Sequence, residues 1–178
     1  MNRRWKFDKS NYQKLVIVGV LLLIMLALAV LSREFLTVAN ITNVLRQTAA
    51  TIIAGCAVTM LMVSGNFDLS IGSIMAIAGT MSAIFVTWGI PNLPAILLSV
   101  LIGTLVGLIN GFLVILLNVP SIIATLGTMY AVRGVAWVIT GGNSISRGLG
   151  KGFTVLGRSY VGPLPLSILL TAAIFALF

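Results

Sequence analysis

Residues 64–73 read Ser-Gly-Asn-Phe-Asp-Leu-Ser-Ile-Gly-Ser and form a polar interruption between two apolar stretches. The interruption holds Asp68, one of only three carboxylates in the chain. Gly65 and Gly72 allow the backbone to turn or to approach another segment closely. A carboxylate near membrane depth is costly and marks a functional position by default. The stretch therefore predicts two membrane helices separated by a broken segment at residues 64–73.

The composition around this stretch is that of an integral membrane protein. The 178 residues are 59% hydrophobic and 8% charged, and the mean hydropathy is +1.15, whereas soluble domains carry about a quarter of charged residues. Five apolar spans come close to the roughly 17 to 25 residues that a transmembrane helix needs. We expect an all-α fold, a polytopic transmembrane helix bundle with about six spans, at residues 15–31, 44–63, 71–90, 95–117, 121–139 and 166–178.

The sixth span stops without a flanking charge, well short of the length that crosses a bilayer. This favours a chain that is truncated inside a transmembrane helix, with a transmembrane domain at residues 15–178 that is incomplete at its carboxyl end. The first span follows a basic start like a secretory signal, but its apolar stretch continues beyond Ala27-Leu28-Ala29. An uncleaved first helix is therefore expected.

Charge predicts how the spans are oriented. Five of the eleven basic residues lie in a tail at residues 1–14, directly before a span, which indicates a cytoplasmic amino terminus rather than nucleic-acid binding. The turns then alternate, with residues 64–70 and 118–120 inside and residues 32–43, 91–94 and 140–165 outside.

The last outer loop carries Arg147, Lys151 and Arg158, against the tendency of basic residues to stay cytoplasmic. One interpretation is a basic surface that docks an acidic partner, because opposite charges steer encounter and fix register. The other is that the three charges only solvate a glycine-rich loop.

Two further features lie in the fourth and fifth spans. Gly103, Gly107 and Gly111 recur every four residues, which predicts a face where a neighbouring helix packs closely, with Asn110 beside it. Arg133 is the only charge inside the fifth span. Its partner is expected among Asp68, Glu34 and backbone carbonyls, unless its side chain reaches the membrane interface instead.

Several motifs occur together in one order. Residues 58–63 lead into the 65–73 stretch, and Gly-Leu-Ile-Asn-Gly at residues 107–111, residues 120–128 and Arg133-Gly134 follow. In this order the chain resembles, over residues 35–178, the permease subunits of bacterial ABC importers for ribose and related simple sugars. It departs at Asn66, where glycine or another small or polar residue is common, which leaves the role of that position open.

The resemblance implies a larger permease in the cytoplasmic (inner) membrane that works by alternating access. It implies three partners: a second permease subunit in a homo- or heterodimer, a cytoplasmic ATPase, and an extracytoplasmic sugar-binding protein. No ATP-binding loop of the Gly-x-x-x-x-Gly-Lys-Ser/Thr type is present, since Lys151 lacks the earlier glycine and the following hydroxyl. The chain is thus expected to be a transport subunit rather than an enzyme, without cofactors, and its expected coupling loop lies beyond the sixth span.

The resemblance leaves the sugar open among ribose, galactose, xylose, rhamnose and an autoinducer-like derivative. The candidate residues of the substrate path or gate are Gly65, Asn66, Asp68, Ser70, Asn110 and Thr125. Arg147, Lys151 and Arg158 are the candidates for docking the binding protein.

Other interpretations compete with this one. Asp68 can instead cap the third helix as a purely structural residue. A proton- or sodium-coupled carrier or channel would also use a membrane carboxylate at Asp68. An intramembrane enzyme is disfavoured, because a chain with no histidine and three acids lacks the groups for a Ser-His dyad or a histidine metal site.

Overall fold

The computed structural model describes residues 9–146, 148–150, 152–162 and 164–177. These residues form the helices α1 (Lys9–Leu31), α2 (Val38–Val63), α3 (Ile71–Thr87), α4 (Asn92–Gly111), α5 (Ser121–Thr140), α6 (Val155–Arg158) and α7 (Leu166–Leu177). A π-helical turn, Phe112–Leu116, continues α4. Strands β1 (Tyr160–Val161) and β2 (Leu164–Pro165) form a small antiparallel hairpin in which Tyr160 pairs with Pro165.

The described residues confirm the predicted all-α polytopic bundle. Four helical segments are long and apolar enough to cross a bilayer, namely Tyr12–Leu31, Val38–Val63, Asn92–Leu116 and Ser121–Thr140. The helices Ile71–Thr87 and Leu166–Leu177 are apolar and shorter. An apolar helix thus lies at each of the six predicted spans.

The chain divides into two compact units, residues 1–47 and residues 48–178. In the first unit, α1 exposes most of its apolar side chains, and the turn that follows leads into the start of α2. The Thr37 hydroxyl donates to the Glu34 carbonyl at 2.8 Å and accepts from the Asn40 amide at 3.3 Å. This cap places the start of α2 at Val38, six residues before the predicted span.

In the second unit, α3 packs against both α4 and α5. The buried positions are mostly small or hydroxyl-bearing, among them Ala95, Ser99 and Ala124. Many leucines and isoleucines are exposed, with Ile77 and Ile84 as buried exceptions. Membrane helices pack in this way because lipid does not drive large apolar side chains inward. Helix α7 contacts α2 through the buried Thr171 hydroxyl, which donates to the Ala49 carbonyl at 3.3 Å.

Glycines end the helices α2 and α3. After α2, the Gly65 amide donates to the Met62 carbonyl and the Asn66 amide donates to the Leu61 carbonyl, both at 3.0 Å. This is a Schellman motif, which requires the left-handed φ of 80° that Gly65 has. The same pattern at Gly89 ends α3 at Thr87, three residues before the predicted limit.

The predicted broken segment is shorter than expected. Residues 64–70 are non-helical, but Ile71, Gly72 and Ser73 already belong to the first turn of α3. The Ser70 carbonyl accepts the Ile74 amide at 2.9 Å, so the helix begins directly after Ser70. The loop at residues 140–165 also contains more structure than predicted, namely α6 and the hairpin.

The predicted glycine packing face is correct only at one end. A Cβ atom on Gly103 would lie 3.3 Å from the Ile74 side chain, so α3 approaches α4 closely there. No heavy atom of the described neighbours lies within 4 Å of a Cβ built on Gly107 or Gly111. Gly107 and Gly111 instead line a cavity, and no described residue of α3 belongs to its lining.

Candidate functional site

The non-helical segment at residues 64–70 is held in place by side chains of α5. The Phe67 amide donates to the Ser121 hydroxyl, and the Leu69 amide donates to the Thr125 hydroxyl, each at 3.2 Å. Thr125 in turn donates to the Ser121 carbonyl of its own helix at 2.7 Å. Two backbone amides that a regular helix would bind internally are therefore bound by the first turns of α5.

Asp68 organises the turn that leads into α3. Its Oδ1 atom accepts from both the amide and the hydroxyl of Ser70, each at 2.6 Å. The bonded amide belongs to Ser70 itself, two residues along the chain, which is the geometry of an Asx turn. Ser70 is the N-cap residue of α3 and makes no side-chain hydrogen bond to the first-turn amides. The expectation that Asp68 caps the amides of the third helix is therefore corrected: Asp68 fixes the residue before the helix.

A chain of hydrogen bonds extends from Asp68, in the non-helical segment, to α4 and α5. The Thr128 hydroxyl of α5 donates to Asn110 Oδ1 at 2.7 Å, and Asn110 Nδ2 of α4 donates to the Ser70 hydroxyl at 2.8 Å. Ser70 then donates to Asp68. Every donor points towards the carboxylate, an arrangement in which each bond polarises the next. Ser70 and Asn110 are buried, with exposures of 0% and 6%.

A cavity of about 330 Å³ lies beside this chain. Polar side chains of the 64–70 segment, α4 and α5 line one part of it, and the open glycine face of α4 lines another. Its lining includes Asn66, Asp68, Asn110, Thr125, Gly107 and Gly111. The volume falls within the range of roughly 300 to 1,000 Å³ that small-molecule sites occupy.

The π-helical turn after α4 forms a further wall of this cavity, through Val114 and Ile115. Such turns occur frequently at functional sites, because the extra residue redirects the side chains that follow it. The chain then reverses through Asn118, which has a φ of 54°, and enters α5 after Pro120. Pro120 takes the N-cap position of α5, directly before its first turn.

The structure brings most of the predicted path residues together. Asn66, Asp68, Asn110 and Thr125 line one cavity, and Ser70 joins two of them through hydrogen bonds. Gly65 lies apart from the lining and shapes the turn that ends α2.

Sequence reasoning missed Ser121 and Thr128. Together with Thr125 they follow a spacing of four and three residues, which places all three on one face of α5. That hydroxyl stripe was the available signal, because a membrane helix directs such groups towards polar partners on neighbouring segments.

Only one of the three candidate docking residues lies within the described part of the chain. Arg147 and Lys151 lie outside the described residues, and Arg158 is the last residue of α6. Their role stays a prediction.

Arg133 contacts none of the partners expected for it. Within the described residues, its side chain is exposed and has neither an ion pair nor a hydrogen bond. It lines two cavities between α3 and α5, and Asp68 belongs to the lining of neither.

Apolar helices with small and polar residues at their contacts define a polytopic membrane protein, and a polar cavity lies at the break between two of these helices. Residues 40–178 match the family described as "Branched-chain amino acid transport system / permease component". The chain belongs to this family.

Individual relatives agree with the family. The chain is 35% identical to the ribose import permease protein RbsC of Haemophilus influenzae over 161 residues, covering 88% of this chain and 50% of that protein. It is 35% identical to the xylose transport system permease protein XylH of Escherichia coli K12, covering 85% of this chain and 39% of that protein. It is 31% identical to RbsC of the same strain, covering 80% and 45%. The chain thus spans about half the length, or less, of the curated relatives it matches.

No solved structure shows significant similarity to the chain.

Proposed function

We propose that this chain is part of the permease subunit of an ATP-driven importer that moves a monosaccharide across the cytoplasmic membrane by alternating access. The observation that carries the proposal is its similarity to ribose and xylose permeases over most of its length. The cavity beside Asp68 supports it, because its volume suits a small polar solute and its lining offers amide, hydroxyl and carboxylate groups. The chain itself performs no catalysis in this proposal.

Three partners follow from the proposal. A cytoplasmic ATPase supplies the energy, an extracytoplasmic binding protein delivers the sugar, and a second permease subunit completes the path. The amino terminus lies in the cytoplasm, and the loop after α5 faces the binding protein. Arg147, Lys151 and Arg158 form the docking surface in this arrangement.

Within the permease, residues 64–70 act as the gate. The segment is held by side-chain hydrogen bonds from α4 and α5 rather than by a continuous helix. Because each such bond contributes only about 1 kcal/mol, a shift between the two helices is sufficient to move the segment. Broken helices of transporters place substrate and ion sites at such points.

The first test measures uptake of radiolabelled ribose, xylose and related sugars in vesicles that contain the full-length gene product, its ATPase and its binding protein. We expect uptake that requires ATP and the binding protein. Uptake that follows a proton or sodium gradient without ATP would instead support a secondary carrier that uses Asp68.

Two substitutions of Asp68 separate its charge from its hydrogen bonds. Asp68→Asn retains an oxygen that accepts from Ser70 but removes the charge, whereas Asp68→Ala removes both. If Asp68 positions the gate, Asp68→Asn retains most uptake and Asp68→Ala loses it. Equal loss in both variants, with normal assembly in the membrane, would show that the charge itself is required.

A further inference from the structure

A second polar cavity lies between α3, α5 and the loop that follows α5. Its volume is about 530 Å³, and it is separate from the cavity beside Asp68. Thr80 of α3, Arg133, Trp137 and Thr140 of α5, and Asn143 of the loop supply polar groups or aromatic surface to it. A third cavity of the same unit, between α2 and α7, is by contrast lined mainly by apolar side chains such as Ile52, Met60 and Phe175.

The loop after α5 positions Trp137 in this second cavity. Gly142 has a φ of 74°, and its amide donates to the Trp137 carbonyl at 3.0 Å. A Cβ atom at this position would lie 3.0 Å from the indole nitrogen, so only glycine lets the backbone approach the ring this closely. The indole is nevertheless 67% exposed, which leaves most of its surface available to a ligand.

Hydrogen-bonding capacity of both kinds surrounds the ring. Arg133 offers up to five donors, none of them engaged within the described residues. The Thr140 hydroxyl gives its proton to the Ala136 carbonyl at 3.0 Å, and Asn143 Nδ2 donates to the Gly141 carbonyl at 3.1 Å. The Thr140 hydroxyl oxygen and the Asn143 amide oxygen therefore remain as acceptors.

Arg133 also lines a smaller cavity of about 260 Å³ with Leu69, Gly72 and Ser73. The two cavities therefore meet at its side chain. The smaller one reaches Leu69, the residue of the broken segment whose amide is bound by Thr125. A solute held at Trp137 is thus only one cavity away from the proposed gate.

We propose that Trp137 and Arg133 form a binding site for one neutral monosaccharide, distinct from the cavity beside Asp68. A sugar ring presents C–H groups that pack against an aromatic face, and hydroxyls that both donate and accept. The combination of an exposed indole, guanidinium donors that no described residue engages, and two acceptor oxygens matches both properties. An anion would accept hydrogen bonds from Arg133 but could donate none to the two acceptor oxygens, whose partial negative charges would repel it. The sugar as substrate class rests on the proposed function.

Fluorescence of two single-tryptophan proteins tests the site. One full-length gene product keeps Trp137 and carries Trp5→Phe and Trp88→Phe, and the other keeps Trp88 and carries Trp5→Phe and Trp137→Phe. In both proteins, phenylalanine also replaces any tryptophan outside residues 1–178. Trp88 is a matched control, because it is 71% exposed, follows the end of α3 and does not line the cavity. Both proteins are titrated in nanodiscs with a panel of pentoses and hexoses, and with glycine betaine as a solute without hydroxyl groups.

We expect a saturable change in Trp137 emission with at least one sugar, none with betaine, and none at Trp88. Arg133→Gln in the Trp137 protein raises the midpoint at least tenfold, and Arg133→Lys raises it less. The site is refuted if no sugar changes Trp137 emission, if betaine acts like the sugars, or if Trp88 responds equally. The last two outcomes would mark Trp137 as an aromatic anchor of the membrane interface.

Uptake in the vesicles described above separates this proposal from the proposed function. ATP-dependent uptake of a sugar that leaves Trp137 emission unchanged contradicts the site and leaves the function intact. A saturable Trp137 response to sugars that are never taken up contradicts the function and leaves the site intact. Where both hold, Trp137→Ala raises the KM of uptake at least tenfold, whereas Trp137→Phe raises it only severalfold.

Discussion

The hydrogen bond between Asn110 and Thr128 joins α4 to α5 at a distance of 2.7 Å. Thr128→Val nearly preserves the shape of the side chain and removes this bond. Hydrogen bonds between membrane helices contribute about 0.6 kcal/mol on average and up to about 1.7 kcal/mol. Because the change also leaves the buried Asn110 oxygen without its donor, we expect the free energy of unfolding to fall by about 1 to 2 kcal/mol.

Asn110→Leu removes two bonds, to Thr128 and to Ser70, and retains most of the side-chain volume. We expect it to lower the free energy of unfolding by about 2 to 3 kcal/mol. The double variant Asn110→Leu, Thr128→Val should lose less than the sum, because the bond between the two residues is then counted once. The coupling energy from this double-mutant cycle is expected near 1 kcal/mol.

The assay is unfolding in mixed micelles with increasing SDS, followed by circular dichroism. Thr104→Val is the matched control, because the Thr104 hydroxyl is exposed and donates only to the Val100 carbonyl of its own helix, at 2.9 Å. A surface change of this kind alters stability by about 0.5 kcal/mol or less. The reasoning is refuted if Thr128→Val costs no more than Thr104→Val, or if the two changes in the cycle are additive within about 0.3 kcal/mol.

Four further substitutions test other contacts of the same unit. Thr125→Val should speed hydrogen exchange at the Leu69 amide about fivefold, for a lost bond worth about 1 kcal/mol, and unchanged exchange would contradict the role of Thr125. Gly103→Ala should lower the free energy of unfolding by about 1 kcal/mol, because the new methyl group meets α3. Gly107→Ala should raise the free energy of unfolding by up to about 1 kcal/mol, because alanine is the better helix former, and should reduce sugar uptake by narrowing the cavity. Equal stability losses at both glycines would contradict the difference in their surroundings. Gly142→Ala should lower the free energy of unfolding by about 1 to 3 kcal/mol through its positive φ, and a thermal midpoint equal to that of Gly107→Ala would argue against this.

The ends of helices were predictable where a single residue determines them. Pro120 predicts the start of α5, and a break around Gly65 follows from its position after an apolar span. The start of α2 was wrong by six residues, because the polar side chains of its first turn lower the hydropathy of a segment that is nonetheless helical. The Thr37 hydroxyl decides that boundary, and its effect depends on a local turn that hydropathy does not describe.

The sequence predicted most residues of the candidate site, but only some of the hydrogen bonds and packing contacts between them. Asp68 stood out by rarity, yet a carboxylate at that position has several amides within reach, and only the backbone conformation selects Ser70. Gly103, Gly107 and Gly111 are equivalent in the sequence. In the structure the first is a packing contact with Ile74 of α3, and the other two are a cavity wall. Such differences depend on tertiary geometry, and the spacing of the residues in the sequence does not reveal them.

The position of the broken segment depends on two helices at once. Its amides are bound by Ser121 and Thr125 of α5, whereas Ser70, at the start of α3, is bound by Asn110 of α4. The Thr128 bond to Asn110 links those two helices directly. When α5 moves relative to α4, either that bond breaks or the segment moves with one helix and loses its contacts to the other. A continuous helix, which satisfies its amides internally, would be insensitive to the same displacement.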